Sequence, residues 1–179
     1  NKALLYFEKI DKNSEFAQEV PFYLLQIYYV NNDFDQIATK GPELLGRDIK
    51  DKKKSGELAR IVAEAFYKKN DYPKAIIYFD KYVEDTRKTL TREENYQVAY
   101  AHYKSGNYQK AIGYFEKSIK DKDQMSQNAH YHLADCYLQT GQKNFAQNAF
   151  YAAYQIPGNE ELREDALFNY AKLTFELAY

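Results

Sequence analysis

The sequence is poor in the residues on which many kinds of functional site depend. Its 179 residues include one cysteine, three histidines, seven glycines and no tryptophan. A lone cysteine cannot form an internal disulfide framework or a cysteine-rich zinc module, and so few glycines leave little material for a phosphate-binding loop. No apolar stretch approaches the roughly 20 residues that a membrane-spanning helix needs. With 25 Lys and Arg against 26 Asp and Glu, the chain has no general attraction for nucleic acid or anionic membrane.

Tyrosine, in contrast, is abundant, with 19 copies among the 179 residues. Hydrophobic residues make up 45% of the chain, which is too apolar for a disordered protein, and the length is sufficient for a core. Tyrosine combines a large apolar area with a polar tip and therefore suits half-buried surfaces. An AT-rich coding sequence would explain the same abundance, so composition alone does not assign these tyrosines to a binding surface.

Three stretches of the sequence repeat one pattern at a nearly constant interval. Residues 66–85 and 102–121 are identical at 10 of 20 positions, residues 137–156 form a third copy, and residues 28–47 form a weaker fourth. Each strong copy has an alanine followed four residues later by a phenylalanine, and successive alanines stand 36 and 35 residues apart. These pairs are Ala75–Phe79, Ala111–Phe115 and Ala146–Phe150.

Each copy has the pattern of two helices joined by a tight turn. Apolar residues recur at helical spacing before the turn. The turn carries asparagine or glycine, the residues that best tolerate the left-handed backbone at a helix end. After the turn, the alanine and the phenylalanine share one helix face, so that the alanine lets two helices approach and the phenylalanine fills the gap beside it. The turn residues are Asn32, Asn70, Gly106 and Gly141.

The repeated unit resembles the tetratricopeptide repeat, a helix–turn–helix unit of about 34 residues. Besides the alanine–phenylalanine pair, the resemblance rests on a small residue before the turn and an aromatic residue just after it, and it covers nearly the whole chain. The small residues are Ala63, Ala99 and Ala134, and the aromatic residues are Phe34, Tyr72 and Tyr108. The resemblance implies an all-α fold, a right-handed α-solenoid of about ten helices. The chain is also loosely similar to tetratricopeptide proteins of the bacterial cell envelope. This similarity favours the cell envelope or periplasm over the cytoplasm.

The resemblance also divides the chain into repeats. In the weak copy, Ile37 takes the place of the alanine and Gly41–Pro42 that of the aromatic residue, and Pro42 is expected to break or restart the second helix. Because the sequence starts and stops within repeats, we expect the parent array to continue both ways or its ends to pair with another chain. The expected boundaries are a half repeat at 1–11, complete repeats at about 18–51, 56–89, 92–125 and 127–160, and a half repeat at 164–179.

Residues suited to catalysis or metal binding are few and scattered. His132 and Cys136 share a helix face, but a zinc site needs three or four ligands and no third is evident nearby. The neighbouring Asp135 would not lower the pKa of the thiol, so a nucleophilic cysteine is not indicated. His102 takes a position that aromatic residues hold in other copies, which predicts a packed ring. We therefore expect no enzymatic activity, no metal and no cofactor.

One basic cluster stands out, with Lys50 and Lys52–Lys54 interleaved with Asp48 and Asp51. We expect these lysines either to lie in a solvated loop between repeats or to contact an acidic partner. A nucleic-acid-binding array would need a basic stripe repeated along its length, so we expect no nucleic-acid partner. Helical RNA-binding repeats have a similar period, but the turn followed by an aromatic residue, alanine and phenylalanine favours the tetratricopeptide repeat.

In the family that the chain resembles, the first helix of each repeat lines a concave face that holds a partner. The third copy places Tyr96, Tyr100 and Tyr103 on one row, and rigid aromatic residues of this kind dominate binding hot spots. The same tyrosines could instead only pack adjacent repeats against each other. The candidate partner-binding residues are Gln26, Tyr29, Arg60, Glu64, Tyr67, Tyr96, Tyr100, Tyr103, Tyr131 and Asp135.

Some members of that family hold the acidic C-termini of chaperones with a clamp of lysine, asparagine and arginine. The corresponding rows here carry Gln26, Glu64, Tyr100 and Asp135, so the clamp is absent. We therefore predict a non-catalytic scaffold that binds an extended or helical segment of another protein on its concave face, without inserting into membrane. The alternative is a structural spacer or oligomerisation module of a larger enzyme, sensor or regulator, with end-to-end self-association.

Overall fold

The computed structural model describes residues 2–10, 14–47 and 49–178, so that Asn1, Asp11, Asp48 and Tyr179 of the sequence prediction lie outside the described residues. The described residues form ten α-helices and no strand, which confirms the all-α class. None of these helices is long and apolar enough to cross a bilayer. The helices are α1 (Lys2–Phe7), α2 (Val20–Val30), α3 (Phe34–Leu45), α4 (Lys52–Lys68), α5 (Tyr72–Thr86), α6 (Arg92–Lys104), α7 (Tyr108–Ser118), α8 (Gln124–Gln139), α9 (Lys143–Gln155) and α10 (Glu160–Ala178).

The chain divides into two compact units. Unit 1, Asn1–Thr89, contains α1 to α5, and unit 2, Leu90–Tyr179, contains α6 to α10. Within each unit, helices that follow one another pair as hairpins, and each hairpin packs against the next. This stacking is the arrangement that a solenoid of helix–turn–helix repeats requires.

Four hairpin turns have the same closed backbone structure. The turn residue lies in the left-handed region in each, with φ of 54° and 59° at Asn32 and Asn70 and of 76° at both Gly106 and Gly141. The residue that follows donates its backbone N–H to the carbonyl five residues earlier, at 2.7–2.9 Å. This bond satisfies a carbonyl that the end of the helix would otherwise leave unpaired. The predicted role of asparagine and glycine in these turns is confirmed.

The alanine–phenylalanine pairs lie at the centres of the hairpins, as the sequence predicts. All three alanines are fully buried, and the phenylalanines are buried with them. In unit 1, Ala75 of α5 lies in the same core as Ala63 of α4, which is also fully buried. Burying a phenylalanine removes a large apolar area from water, so these pairs contribute strongly to the stability of each hairpin.

Pro42 lies inside α3, and the prediction that it breaks or restarts the second helix is wrong. The helix continues to Leu45, because a proline in the last turn removes only one intrahelical hydrogen bond. The carbonyl of Pro42 still accepts the N–H of Gly46 at 3.0 Å. The preceding residue, Gly41, is buried against α4, where an added Cβ would lie 2.6 Å from Cγ2 of Val62. This close approach explains glycine where the other copies carry an aromatic residue.

The basic cluster begins a helix, and the prediction of a solvated loop is wrong for Lys52–Lys54. These lysines form the first turn of α4. The Asp51 carboxylate caps that helix by accepting two of its first backbone N–H groups at 2.9 and 3.1 Å. The ammonium group of Lys54 pairs with Glu19 at 2.7 Å, so this charge already has a partner within unit 1.

In unit 2, buried polar side chains help to join the repeats. Gln127 of α8 is fully buried, and its amide nitrogen donates to the carbonyls of Ile156 and Asn159 at 3.1 and 3.2 Å. Its amide oxygen accepts the backbone N–H of Asn159 at 2.9 Å, which ties α8 to the start of α10. His102 is buried and stacks on Tyr114 with 5.8 Å between ring centroids, so it packs as an aromatic ring.

Two glycines of unit 2 provide a matched test of the turn. An added Cβ would meet no atom within 4 Å at Gly113, inside α7, or at Gly106, whose φ is +76°. We expect Gly113→Ala to raise the free energy of unfolding by about 0.5–1 kcal/mol, because alanine loses less backbone entropy in a helix. We expect Gly106→Ala to lower it by about 1–2 kcal/mol, because the left-handed region is strained for alanine. Urea unfolding followed by circular dichroism measures both, and equal effects would contradict the assigned turn.

Candidate protein-binding faces

The first helices of unit 2 lie next to one another and bring the predicted tyrosines together. Tyr96, Tyr100 and Tyr103 follow one side of α6 at spacings of four and three residues. The rings of Tyr96 and Tyr100 stack with 6.2 Å between centroids, and those of Tyr100 and Tyr103 lie 6.0 Å apart. All three side chains are half-buried. We call this surface, with Tyr131, His132, Asp135 and Asp165, the unit 2 face.

Two tyrosines of the unit 2 face join consecutive repeats through their hydroxyl groups. Tyr103 of α6 donates to Asp135 of α8 at 2.6 Å, and Tyr131 of α8 donates to Asp165 of α10. Burial, and then the hydrogen bond to a carboxylate, raises the pKa of both phenols, so each hydroxyl remains a donor at neutral pH. These two tyrosines therefore hold adjacent repeats together while their rings remain half-buried.

His132 lies at the centre of this face, a role that the sequence analysis missed. The centroid of its ring lies 5.0–5.9 Å from those of Tyr100, Tyr103, Phe115 and Tyr131. Its Nδ1 atom is buried and has no hydrogen-bond partner in the part of the chain that the structure describes. Burial lowers the pKa of His132 to about 4, so at neutral pH the imidazole is uncharged and packs as an aromatic ring.

The predicted residues of unit 1 form a second and more polar surface, which we call the unit 1 face. Tyr29 of α2 donates its hydroxyl to Glu64 of α4 at 2.7 Å. The guanidinium of Arg60 lies 5.7 Å from the centre of the Tyr29 ring and pairs with the same carboxylate. Gln26 is exposed and Tyr67 is half-buried. The structure thus joins three of the five predicted residues in one network.

A common rule relates the two faces. In each unit, a tyrosine near the end of one first helix donates to an acidic residue on the next first helix, as in the pairs Tyr29–Glu64 and Tyr103–Asp135. The sequence analysis placed all four residues on the face without pairing them. Their separations of 35 and 32 residues, close to the repeat period, are the signal that could have paired them.

Neither a metal cluster nor a reactive thiol is found among the described residues. No three His, Cys, Asp or Glu side chains within the described ranges could together hold a metal ion. Cys136 is buried, and burial, followed by the Asp135 carboxylate, raises the pKa of its thiol to about 12. A thiol that stays protonated is a poor nucleophile. The interactions present on the two faces are ring stacking, hydrogen bonding and charge pairing.

Comparisons with known proteins agree with this architecture. A family model described as anaphase-promoting complex, cyclosome, subunit 3, matches residues 68–153. The solved structure of MamA from MSR-1 is 21% identical, with a TM-score of 0.57 over 92% of this chain and 87% of that one. The nearly identical TPR-like repeats of a Podosopora anserina protein described as a kinesin light chain are 16% identical, with a TM-score of 0.55 over 87% and 85%. Yeast Tom70 is 16% identical, with a TM-score of 0.53 over 99% of this chain and 44% of that one.

These similarities define the class of the protein. No match was found among curated protein sequences. At 16–21% identity, the solved structures establish the fold. The chain has the fold of tetratricopeptide-type helical repeats, which agrees with the resemblance predicted from its sequence. Repeats of this type typically mediate protein–protein interactions and are in general non-enzymatic.

The neutral ring of His132 predicts a loss of stability at mildly acidic pH. The unfolded chain binds a proton at this histidine near pH 6.5, whereas the folded chain does so only near pH 4. The contribution of His132 is therefore complete above about pH 6.5 and falls as the pH drops towards about 4. Between about pH 6.5 and pH 4, we expect the free energy of unfolding to fall by roughly 1–3 kcal/mol less in His132→Phe than in the parent. Urea unfolding of parent and variant across this range measures it, and parallel pH profiles would contradict the assignment.

Proposed function

We propose that the chain is a non-catalytic scaffold whose unit 2 face binds a segment of another protein. The observation that carries this proposal is the group of half-buried rings formed by Tyr96, Tyr100, Tyr103, Tyr131 and His132. Each ring already packs against another, so little side-chain entropy is lost when a partner covers them. Tyrosines held in this way provide apolar area and hydrogen-bonding groups at low entropic cost, as they do in antibody binding sites.

The unit 1 face supports the same proposal in a weaker form. Exposed Gln26 and the rim formed by Tyr29, Arg60 and Glu64 offer hydrogen bonds to a partner, while Tyr67 offers a ring. The charge of Arg60 is already paired with Glu57 and Glu64, so it is not a free cation for a terminal carboxylate. We therefore assign the main contact to unit 2 and a separate, smaller one to unit 1.

The similarity to known proteins supports an interaction role. The family model that matches residues 68–153 takes its name from a subunit of a multiprotein complex, and the structural neighbours have repeats of the same type. The lysine–asparagine–arginine clamp is missing, so the ligand is better described as an internal segment than as a free C-terminus. An extended or helical segment can cover the concave side of stacked hairpins.

A photoreactive residue tests the proposed face. We expect p-benzoylphenylalanine in place of Tyr100 to crosslink a discrete partner in an extract of the source cells, because the ring lies among the proposed contact rings. The matched control carries the same residue in place of Phe145, which is 59% exposed on the second helix α9. Both proteins must first show the same thermal unfolding.

A direct binding measurement completes this experiment. The crosslinked segment, prepared as a peptide, should bind the unmodified chain with one-to-one stoichiometry in calorimetry, and Tyr100→Ala should weaken that binding about tenfold or more. Equal crosslinking from both positions, or affinity unchanged by Tyr100→Ala, would contradict binding at this face.

A second candidate function, self-association, is favoured by α10. Phe168 and Phe175 of this helix are each 67% exposed, and their spacing of seven residues places them on one face. Apolar side chains grouped in this way often mark a protein contact. If self-association is the function, light scattering after size exclusion should show a mass that rises with concentration, and a Phe168→Ser/Phe175→Ser variant should remain monomeric. A monomeric parent at all concentrations would remove this candidate.

A further inference from the structure

The two kinds of helix in unit 2 carry opposite net charge. The first helices α6, α8 and α10 hold eight acidic and four basic residues, whereas the second helices α7 and α9 hold one acidic residue and three lysines. Three of the four cations on the first helices are already paired, Arg92 with Asp123 at 2.5 Å, Arg163 with Glu160 at 2.7 Å and Lys172 with Glu176 at 4.0 Å. The helices that carry the tyrosines are therefore the acidic helices of unit 2.

A crevice of about 260 Å³ opens between two of these acidic helices, at α8 and the start of α10. It is lined by Tyr131, Asn159, Glu161, Leu162 and Asp165, and neither lysine nor arginine is among them. An aromatic ring and an aliphatic side chain can pack along the stem of a long basic side chain. Two carboxylates and an amide can accept hydrogen bonds from its charged end. The lining therefore matches a lysine or arginine side chain in both shape and charge.

A second crevice repeats the tyrosine–aspartate pair one repeat earlier. It is lined by Tyr103, Lys104, Tyr108 and Asp135, and here a lysine stands beside the aspartate. That lysine would repel a second cation, so an uncharged side chain fits this position better. Packed helices lie about 8–10 Å apart, and about three residues of an extended chain span this distance. One extended segment can therefore reach both crevices with side chains about three residues apart.

We propose that the segment bound by unit 2 is basic, with one lysine or arginine side chain in the Tyr131 crevice and an uncharged residue near Tyr103. This inference rests on the proposed function and adds the charge and register of the partner. An acidic segment would meet the carboxylates of Asp135, Glu161 and Asp165, and such like-charge contacts discriminate against a wrong partner. The absence of the clamp for acidic C-termini agrees with a partner of opposite charge.

Three synthetic peptides test the charge of the partner with the full 179-residue chain. They share one short extended sequence with a tyrosine three residues from a central position, which holds arginine, glutamine or glutamate. Fluorescence anisotropy measures their binding at low and at high salt. We expect the arginine peptide to bind about tenfold more tightly than the glutamine peptide, the glutamate peptide to bind most weakly, and salt to reduce the difference.

Three conservative variants locate the charge effect. Asp165→Asn should weaken binding of the arginine peptide about fivefold or more and leave the glutamine peptide nearly unchanged. The matched control Glu116→Gln removes the same charge from α7, a second helix, and should leave both affinities unchanged. Glu161→Gln, at an exposed position of the crevice, repeats the test if Asp165→Asn alters thermal unfolding.

The outcomes separate this inference from the proposed function. Equal affinity for the arginine and glutamine peptides, or equal losses in Asp165→Asn and Glu116→Gln, would overturn the basic partner. Binding of none of the three peptides would overturn it as well. Crosslinking from position 100 tests the proposed face independently. If a partner captured there binds through an uncharged segment, the proposed function stands and this inference is overturned.

Discussion

The three hairpins α4–α5, α6–α7 and α8–α9 depend on the close approach of their two helices at an alanine, with a phenylalanine one turn later filling the space beside it. Ala111 and Phe115 illustrate the constraint in unit 2, since both are completely buried. A larger residue at the alanine would separate the helices, and a smaller one at the phenylalanine would leave a cavity. Because a hairpin alone cannot cover its remaining apolar surface, stacking of the next repeat follows from the same constraint.

The two proposed binding faces are a consequence of this stacking. When first helices lie side by side, a tyrosine near the end of one helix reaches an acidic residue on the next, as Tyr103 reaches Asp135. The hydrogen bond satisfies the polar tip while the ring remains half-buried, which produces a rigid surface of rings and carboxylates. The packing role of these tyrosines is compatible with the proposed binding role, because side chains that join two repeats form a preorganised surface.

Much of the fold could be predicted from the sequence because the signals are local and repeated. The left-handed turns at Asn70 and Gly106 depend on residues that tolerate this backbone, and the buried faces depend on helical spacing. Pro42 was mispredicted because the cost of a proline depends on its distance from the helix end, which a sequence pattern places poorly. Lys52–Lys54 were mispredicted because the prediction took no account of Asp51 as a local helix cap. Their acidic partners Asp85 and Glu19 lie 33 and 35 residues away, so only the tertiary structure brings them together.

By itself the sequence determined the repeat, the all-α class, the turn residues and the helices that carry the candidate face, because all of these follow from spacing along one chain. Only the tertiary structure decided how side chains from different repeats meet. It placed the ring of His132 against those of Tyr100, Tyr103 and Phe115, and Tyr131 beside Asp165, contacts between residues about 17 to 34 positions apart. The physical reason is that partners and burial, which set pKa values and local charge, exist only after the repeats have packed.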